Sequence, residues 1–593
     1  MPLPDPAPRI RAVNFFVTAL FLAATSFLLA SCLPFATVRS HLDGYAQSGS
    51  AAVYSEAVHS GIIARLRVAG AACLAVALLA WRCRTALACA FGRATCGIRD
   101  DLKRVGATLR QTVSSDRATV GALLALIALA AAIRVPSLIS EPMRYDESAT
   151  YSTYASRPYY TIVARYESPN NHVFHTLCVR AAILAFGDRP WAIRLPAFLA
   201  GLLLVPAGYV AGRALYGRGA ALLGAALIAG SPTALKFSTN ARGYTIVALA
   251  TLLMVAVGSL LLRRPSVLAW GALTVLAALG FWAVPVMLLP YVAVMGWLVL
   301  AGVTAQAMAA DRGTFLRSAA LSALGTVALV VLLYAPILLL HGPGVLGGNR
   351  YVVRLGWEEW RAGLPSALAA PWAEWLRELP AGLGIVLTAA FVFHHRADLH
   401  RIPFWAVAPV VCIAIILIQG ILPPERVWFF ALPLFLLAAA AGLAWIVTAA
   451  LPKMWCRPAL AGTAALLLGV QTLGTPAVKT IELGTLRDAP AVTDLLRARL
   501  RPGDAVLATC PSDGPLEYYF GRCGLAPDLL LWCGEPVRVR GNRLFAVVNK
   551  THGQTLESVL AKYRLDRDLD LASAQRHGDF ETAEVFELAT GGN

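Results

Sequence analysis

The sequence predicts an all-α polytopic membrane protein of about thirteen transmembrane helices, closed by a small α/β domain outside the bilayer. Three observations predict it. Of the 593 residues, 58% are hydrophobic and only 14% charged, against about 45–50% and about 25% in soluble domains. A single soluble core cannot bury that much apolar surface. Apolar runs of spanning length recur along the chain, since about 20 residues at 1.5 Å each cross a bilayer core. Beyond residue 475 the composition turns polar and mixed.

The predicted spans lie near 14–33, 62–80, 118–138, 191–212, 219–236, 243–262, 266–282, 284–302, 318–340, 381–395, 403–421, 427–450 and 458–475. The first run lacks a clear signal-peptide cleavage site and is kept as a span. The tail stretch "VTDLLRARLRPGDAVLATC" reads as an amphipathic helix, a Pro-Gly turn and a short strand. The chain therefore divides into an appended pair of spans with a basic connector (1–117), a membrane core (118–475) and an α/β tail (476–593). No internal repeat or low-complexity tract is visible.

Charge orients the spans. The net charge of +17 would point to nucleic acid in a soluble protein. Here Arg82, Arg84, Arg93, Arg99, Lys103, Arg104, Arg110 and Arg117 share one loop, and "RRP" at 263–265, "HHRADLHR" at 394–401 and "PKMWCR" at 452–457 fall on the same side. The positive-inside rule names that side cytoplasmic. The expected partners are membrane lipids and no nucleic acid. The N-terminus is then cytoplasmic, and 139–190, 238–244, 341–380, 423–426 and 476–593 face a periplasmic or equivalent space. An oxidising compartment favours a disulfide among Cys510, Cys523 and Cys533, with Cys510–Cys523 the first choice.

The outward loops hold the candidate chemistry. "EPMRYDESATYSTYA" at 141–155 sets Asp146 and Glu147 just past a span, beside Tyr145. Acids at that depth are costly and point to function, although Asp before "ESATYSTYA" is also good helix-capping chemistry. Asn170, Asn171, His172 and His175 form a polar patch on the same loop. The two histidines, three apart, would share a helix face. A divalent-metal reading adds Glu167 or Asp146 as a third ligand. Lys236, Arg242 and Arg426 lie at outward helix ends. Cations beside paired carboxylates suit a ligand that is both phosphorylated and deprotonated.

The ordered set of "YDE", "PNNHVFHTL", "FGDRPWAIRLPAFLAG", "NARGYTIVALATLL" and "PPERVWFFALPLF" resembles the GT-C glycosyltransferases. That membrane superfamily contains protein O-mannosyltransferases and aminoarabinose transferases. The resemblance covers roughly 118–450 and extends more weakly into the tail. It implies an inverting transfer of a sugar from a polyprenyl-phosphate donor to an acceptor hydroxyl on a lipid, glycan or protein. It implies Asp146 as general base, Glu147 orienting the acceptor, and Arg242 and Arg426, with Lys236 beside them, holding the donor phosphate. Asn170, Asn171, His172, His175 and Tyr145 would then contact the acceptor or organise the loop. The expected setting is a bacterial inner (plasma) membrane, with the site and tail periplasmic.

Transfer from a sugar phosphate has a good leaving group, so one base and cations for the departing charge suffice. Glycoside hydrolysis would need a second carboxyl as acid. Two other classes compete. A transporter or flippase of lipid-linked sugars would show repeated halves and broken helices at the midplane. A non-enzymatic envelope-assembly protein has no need of paired acids with arginines. Oligosaccharide transfer to asparagine would call for a "WWD"-like motif, which the tail lacks.

Overall fold

The structure is a computed structural model that describes residues 7–45, 54–166, 168–304, 312–347, 353–377, 382–474, 486–531, 543–565, 569, 571 and 574–589. It is mostly helical. Among the described residues, eight helices are long and apolar enough to cross a membrane, from Arg9–Ala30 to Glu425–Ala450. A ninth candidate is a pair, Arg218–Gly230 and Pro232–Ser238, bent by 59°. The predicted runs 266–282, 381–395 and 403–421 are the shorter apolar helices Val267–Ala283, Leu383–Val392 and Phe404–Gln419. The run 458–475 falls on Lys453–Gly474, whose Lys453, Arg457 and Gln471 keep it below spanning hydropathy.

The bend at 231 has a local cause. Pro232 has no N–H to give the Ile228 carbonyl and starts a new helix, whose first turn Ser231 caps through its hydroxyl at 3.2 Å from Ala234 N. The freed carbonyls find a partner in another helix. Arg134, fully buried in Arg117–Ser140, donates to Ile228 O at 3.2 Å and to Ala229 O at 2.7 Å. A buried guanidinium is thus satisfied by a backbone defect. Close packing elsewhere uses small residues: a Cβ at Gly442 would collide with the Ala390 carbonyl of the neighbouring helix.

The loop 141–190 carries Tyr145–Thr150, a π-turn at Tyr151–Ala155, Tyr159–Ala164 and Val173–Phe186. The last is apolar but has 14 residues, roughly 21 Å of helix, too short to span.

The tail is a mixed five-stranded sheet in the order β2-β1-β3-β5-β4. β1 (Ala505–Ala508) pairs in parallel with β2 (Leu530–Leu531) and β3 (Arg543–Asn549), while β5 (Ala583–Ala589) runs antiparallel to β3 and to β4 (Gln575–Asp579). Apolar clusters cover both faces, one around Val506, Phe520 and Phe545, the other around Leu507, Leu544 and Leu560. The expected Cys510–Cys523 bridge does not form. Cys523 ends the eleven-residue helix Asp513–Cys523, and Cys510 lies three residues before its start; the helix is roughly 16 Å long, whereas bridged Cα atoms sit within about 7 Å. Cys533 lies outside the described residues.

Candidate active site

The helix Arg117–Ser140 ends at Glu141, and a short turn through Pro142 and the buried Met143 leads into Tyr145–Thr150. The cap of that helix is Arg144, not Asp146, because Glu147 at the third helical position reaches back to Arg144 N at 3.0 Å. Adjacent residues on a helix point about 100° apart, so the two acids part company at once.

Glu147 is turned inward and is fully buried. Its carboxylate accepts Arg194 Nε at 2.8 Å and Nη2 at 2.6 Å in a two-pronged pair, and Ala241 N at 2.8 Å. Arg194, also fully buried, donates onward to Glu141 O and Pro142 O, both at 2.7 Å. Arg144 spans the same gap to Thr239 O at 2.7 Å. Burial alone would raise the Glu147 pKa, but the Arg194 and Arg144 charges overcome it and hold it down at about 2. With no exposed surface, Glu147 cannot touch an acceptor. It is a strut that ties the acidic turn to the 239–242 corner.

Asp146 faces out, its side chain 38% exposed. Its Oδ2 lies 3.5 Å from Arg242 Nη1, and its Oδ1 accepts from Asn170 Nδ2 at 3.4 Å. Asn170 Oδ1 in turn accepts from Arg242 Nη1 at 2.6 Å, which closes a triangle of the three side chains. The Arg242 guanidinium is buried, yet the charge of Asp146 and its contact with Tyr244 outweigh desolvation and push its pKa up. Its guanidinium carbon stands 5.8 Å from the centre of the Tyr244 ring.

His172 caps the Val173–Phe186 helix and accepts Gly243 N at Nδ1 at 2.8 Å, so its proton sits on Nε2. Burial, then the positive charges of Arg242 and Arg426, lower its pKa well below the usual value and keep it neutral. Arg426 is exposed on the turn Glu425–Phe430, which packs against the helix Tyr244–Leu261 that follows Arg242. His175 is wholly buried, neither ring nitrogen has a hydrogen-bond partner among the described residues, and burial drops its pKa to about 3. Asn171 donates to Ile162 O at 2.8 Å and Arg165 O at 2.7 Å, and so organises the loop.

Three expectations shift. Lys236 is engaged at 2.9 Å by Glu374 of the Trp-rich helix Trp357–Arg377 rather than open to a ligand. His172 precedes the helix that holds His175, so the pair does not share a helix face as read. Among the described residues no group of three His, Cys, Asp or Glu side chains is placed to hold a metal, and Glu167 lies outside them.

The tail domain also enters. Tyr519 Oη accepts Met143 N at 3.1 Å, Tyr518 Oη donates to Asp188 O at 2.5 Å, and Gly514 packs on the Tyr145 ring, where a Cβ would come within 2.9 Å. The helix Asp513–Cys523 therefore backs the acidic turn. Sequence reasoning missed Arg194, Arg144, Glu374 and Tyr519. Arg194 alone carried a signal, being an ionisable residue within an apolar run and so in need of a partner.

Against the Glu425–Phe430 turn, an apolar cavity of ≈220 Å³ is walled by Trp372, Trp375, Phe404, Trp405, Trp428 and Phe430.

Two solved structures resemble this fold. ArnT from Cupriavidus metallidurans in the apo state superposes with a TM-score of 0.52 at 16% identity, over 79% of this chain and 98% of that one. The same protein bound to undecaprenyl phosphate gives a TM-score of 0.50 at 15% identity, with the same coverage. The chain has the fold of these structures. The family model of dolichyl-phosphate-mannose-protein mannosyltransferases matches residues 173–334, a stretch that holds His175, Arg194, Lys236 and Arg242 but begins after Asp146. No curated protein matches it by sequence.

Proposed function

We propose that the protein is an inverting glycosyltransferase that moves a sugar from a polyprenyl-phosphate donor to an acceptor hydroxyl, with Asp146 as general base. The observation that carries the reading is the Asp146–Asn170–Arg242 triangle, an outward carboxylate fixed beside a buried cation on a membrane helix end. The acceptor oxygen attacks the anomeric carbon as the bond from that carbon to the phosphate oxygen breaks. The hydroxyl proton passes to Asp146, and polyprenyl phosphate departs with its electron pair. Arg426, exposed on the turn that packs against the helix following Arg242, grips the phosphate, and Arg242 supplies charge from beneath. The tryptophan-lined cavity beside Arg426 takes the first isoprenoid units of the donor. Glu147 acts through position alone.

Several supports come from outside the site. The family model spans the helices on which Arg242 stands, and ArnT, which has this fold, binds undecaprenyl phosphate. The basic loops opposite the acidic turn support a bacterial inner membrane location, N-terminus inside, with the site and the tail (476–593) periplasmic. Residues 118–475 are the catalytic core, and 1–117 an appended pair of spans.

The test is Asp146→Asn in purified, lipid-reconstituted protein. The donor and acceptor are first identified by mass spectrometry of membrane lipids and surface glycans with and without the gene. Loss of a general base lowers turnover by about 10²–10⁴, with donor binding retained. A variant that keeps more than half of wild-type activity sinks the assignment. Movement of intact donor across the bilayer, with no glycosylated product from wild type, would instead establish a flippase.

A further inference from the structure

The 32-residue helix Arg84–Ser115, roughly 48 Å long, joins Glu56–Arg82 to Arg117–Ser140, both of spanning length. Both its ends therefore lie at one membrane face, the one remote from Glu141 and the acidic turn. It is held there along two edges. On one, Ala88 packs with Val13, Val17 and Ala80, and Gly92 lies under the Arg9 guanidinium. On the other, Gly97 abuts Val267, and the buried Asp101 accepts Ser266 Oγ at 2.7 Å and Leu268 N at 3.3 Å at the start of Val267–Ala283.

Between those edges runs an apolar stripe at helical spacing, Leu87, Phe91, Ile98, Leu102 and Val105. Leu87, Phe91, Leu102 and Val105 are 39–55% exposed. The stripe fills one of the two arcs left open between the packed edges. Arg99, Lys103 and Arg110 recur on its shoulder at spacings that keep them on one side. Cys89, Arg93, Cys96 and Arg104 take the opposite, exposed face.

We propose that this helix is a membrane-surface anchor, lying in the headgroup layer of the leaflet remote from the acidic turn and binding anionic phospholipid. Apolar residues on the face turned to the bilayer, with cations at the shoulder where phosphates sit, are what an interfacial helix needs. Long basic side chains reach phosphates from that depth with their aliphatic stems in the acyl layer. A docking site for nucleic acid or an acidic protein would turn both stripe and cations to water.

The experiment places one cysteine at a time in the full-length protein, as native Cys89, native Cys96, Phe91→Cys or Leu102→Cys. The proteins are reconstituted in phosphatidylcholine vesicles with or without phosphatidylglycerol. Cys89 and Cys96 should react readily with a membrane-impermeant maleimide, and positions 91 and 102 should be shielded. A fluorophore at 102 should be quenched more by brominated phosphatidylglycerol than by brominated phosphatidylcholine. Neutralising Arg99, Lys103 and Arg110 to Gln should cut that preference about fivefold per charge. Equal reactivity at all four positions, equal quenching by the two lipids, or protection of position 91 only when an acidic protein is added would overturn the proposal. The first two readouts use protein with every charge intact, so a variant that fails to fold does not blunt the test.

Discussion

The acidic corner and the N-terminal helix pair lie in the same membrane and use opposite ways of satisfying it. In the helices that carry the corner, burial inside the protein is deep: 61% of the apolar window of Pro190–Tyr216 and 78% of that of Glu425–Ala450 are buried, against 11% for Arg9–Ala30 and for Glu56–Arg82. Charges buried there meet named partners: Arg134 with freed carbonyls, Arg194 with Glu147, Lys236 with Glu374. The N-terminal pair turns Phe15, Leu22, Val68 and Leu79 outward, more than half exposed, where lipid covers them. Ionised groups in low dielectric must be matched one by one, whereas lipid asks of a side chain only that it be apolar. Order around Asp146 therefore comes from specific pairs, and the periphery from composition.

The contrast breaks hardest at Arg194. Arg194→Ala leaves the Glu147 carboxylate buried without its two-pronged partner and frees Glu141 O and Pro142 O. A loss of about 3–5 kcal/mol is expected, read as a fall in thermal stability in detergent and collapse of activity. An Arg194→Ala protein as stable as wild type would show that the strut does not hold the corner.

Acid titration probes the same strut from outside. Glu147 has a native pKa of about 2, below its unfolded value near 4.5, so its stabilisation is complete above about pH 4.5 and is lost as pH falls toward 2. The shift corresponds to about 3 kcal/mol as an order of magnitude. Stability measured from pH 6 to pH 3 should fall, and Glu147→Gln, already weakened at pH 6, should show a flatter profile. Parallel profiles for the two proteins would remove Glu147 as the source.

A smaller effect is expected at Arg242→Lys. Lysine keeps the charge but cannot serve Asp146 and Asn170 with the same planar fork. Loss of one charge-assisted bond, about 1.5–3 kcal/mol, should appear as a fall in kcat of about tenfold to a hundredfold with the protein still folded. Wild-type kcat in Arg242→Lys would argue that the guanidinium geometry is irrelevant to turnover. The periphery supplies the smallest effect. Leu79→Ala, on a lipid-facing surface, should change stability by less than about 0.5 kcal/mol, and a larger loss would mean that another protein surface covers that helix.

The sequence by itself determined the class of molecule and much of its outline. Composition and apolar run length follow from the bilayer as solvent, so eight of the helices at predicted runs are long and apolar enough to span, and the tail's shift in composition marked the mixed sheet that forms there. It also brought forward Asp146, Asn170 and Arg242, which the fold gathers into one triangle from three separate segments.

Only the tertiary structure decided how the two adjacent acids divide. In sequence, Asp146 and Glu147 are alike. In the fold, the turn of one helix sends Glu147 onto Arg194, forty-seven positions away, and leaves Asp146 at the surface. The fate of Lys236 was settled the same way, by Glu374 arriving from 138 positions downstream. The lost Cys510–Cys523 bridge followed from a helix holding its ends apart. Local pattern reports what a residue needs, a charge its counter-charge or a carbonyl its donor. Which residue meets that need depends on packing between segments far apart in the chain, and no periodicity along the chain encodes it.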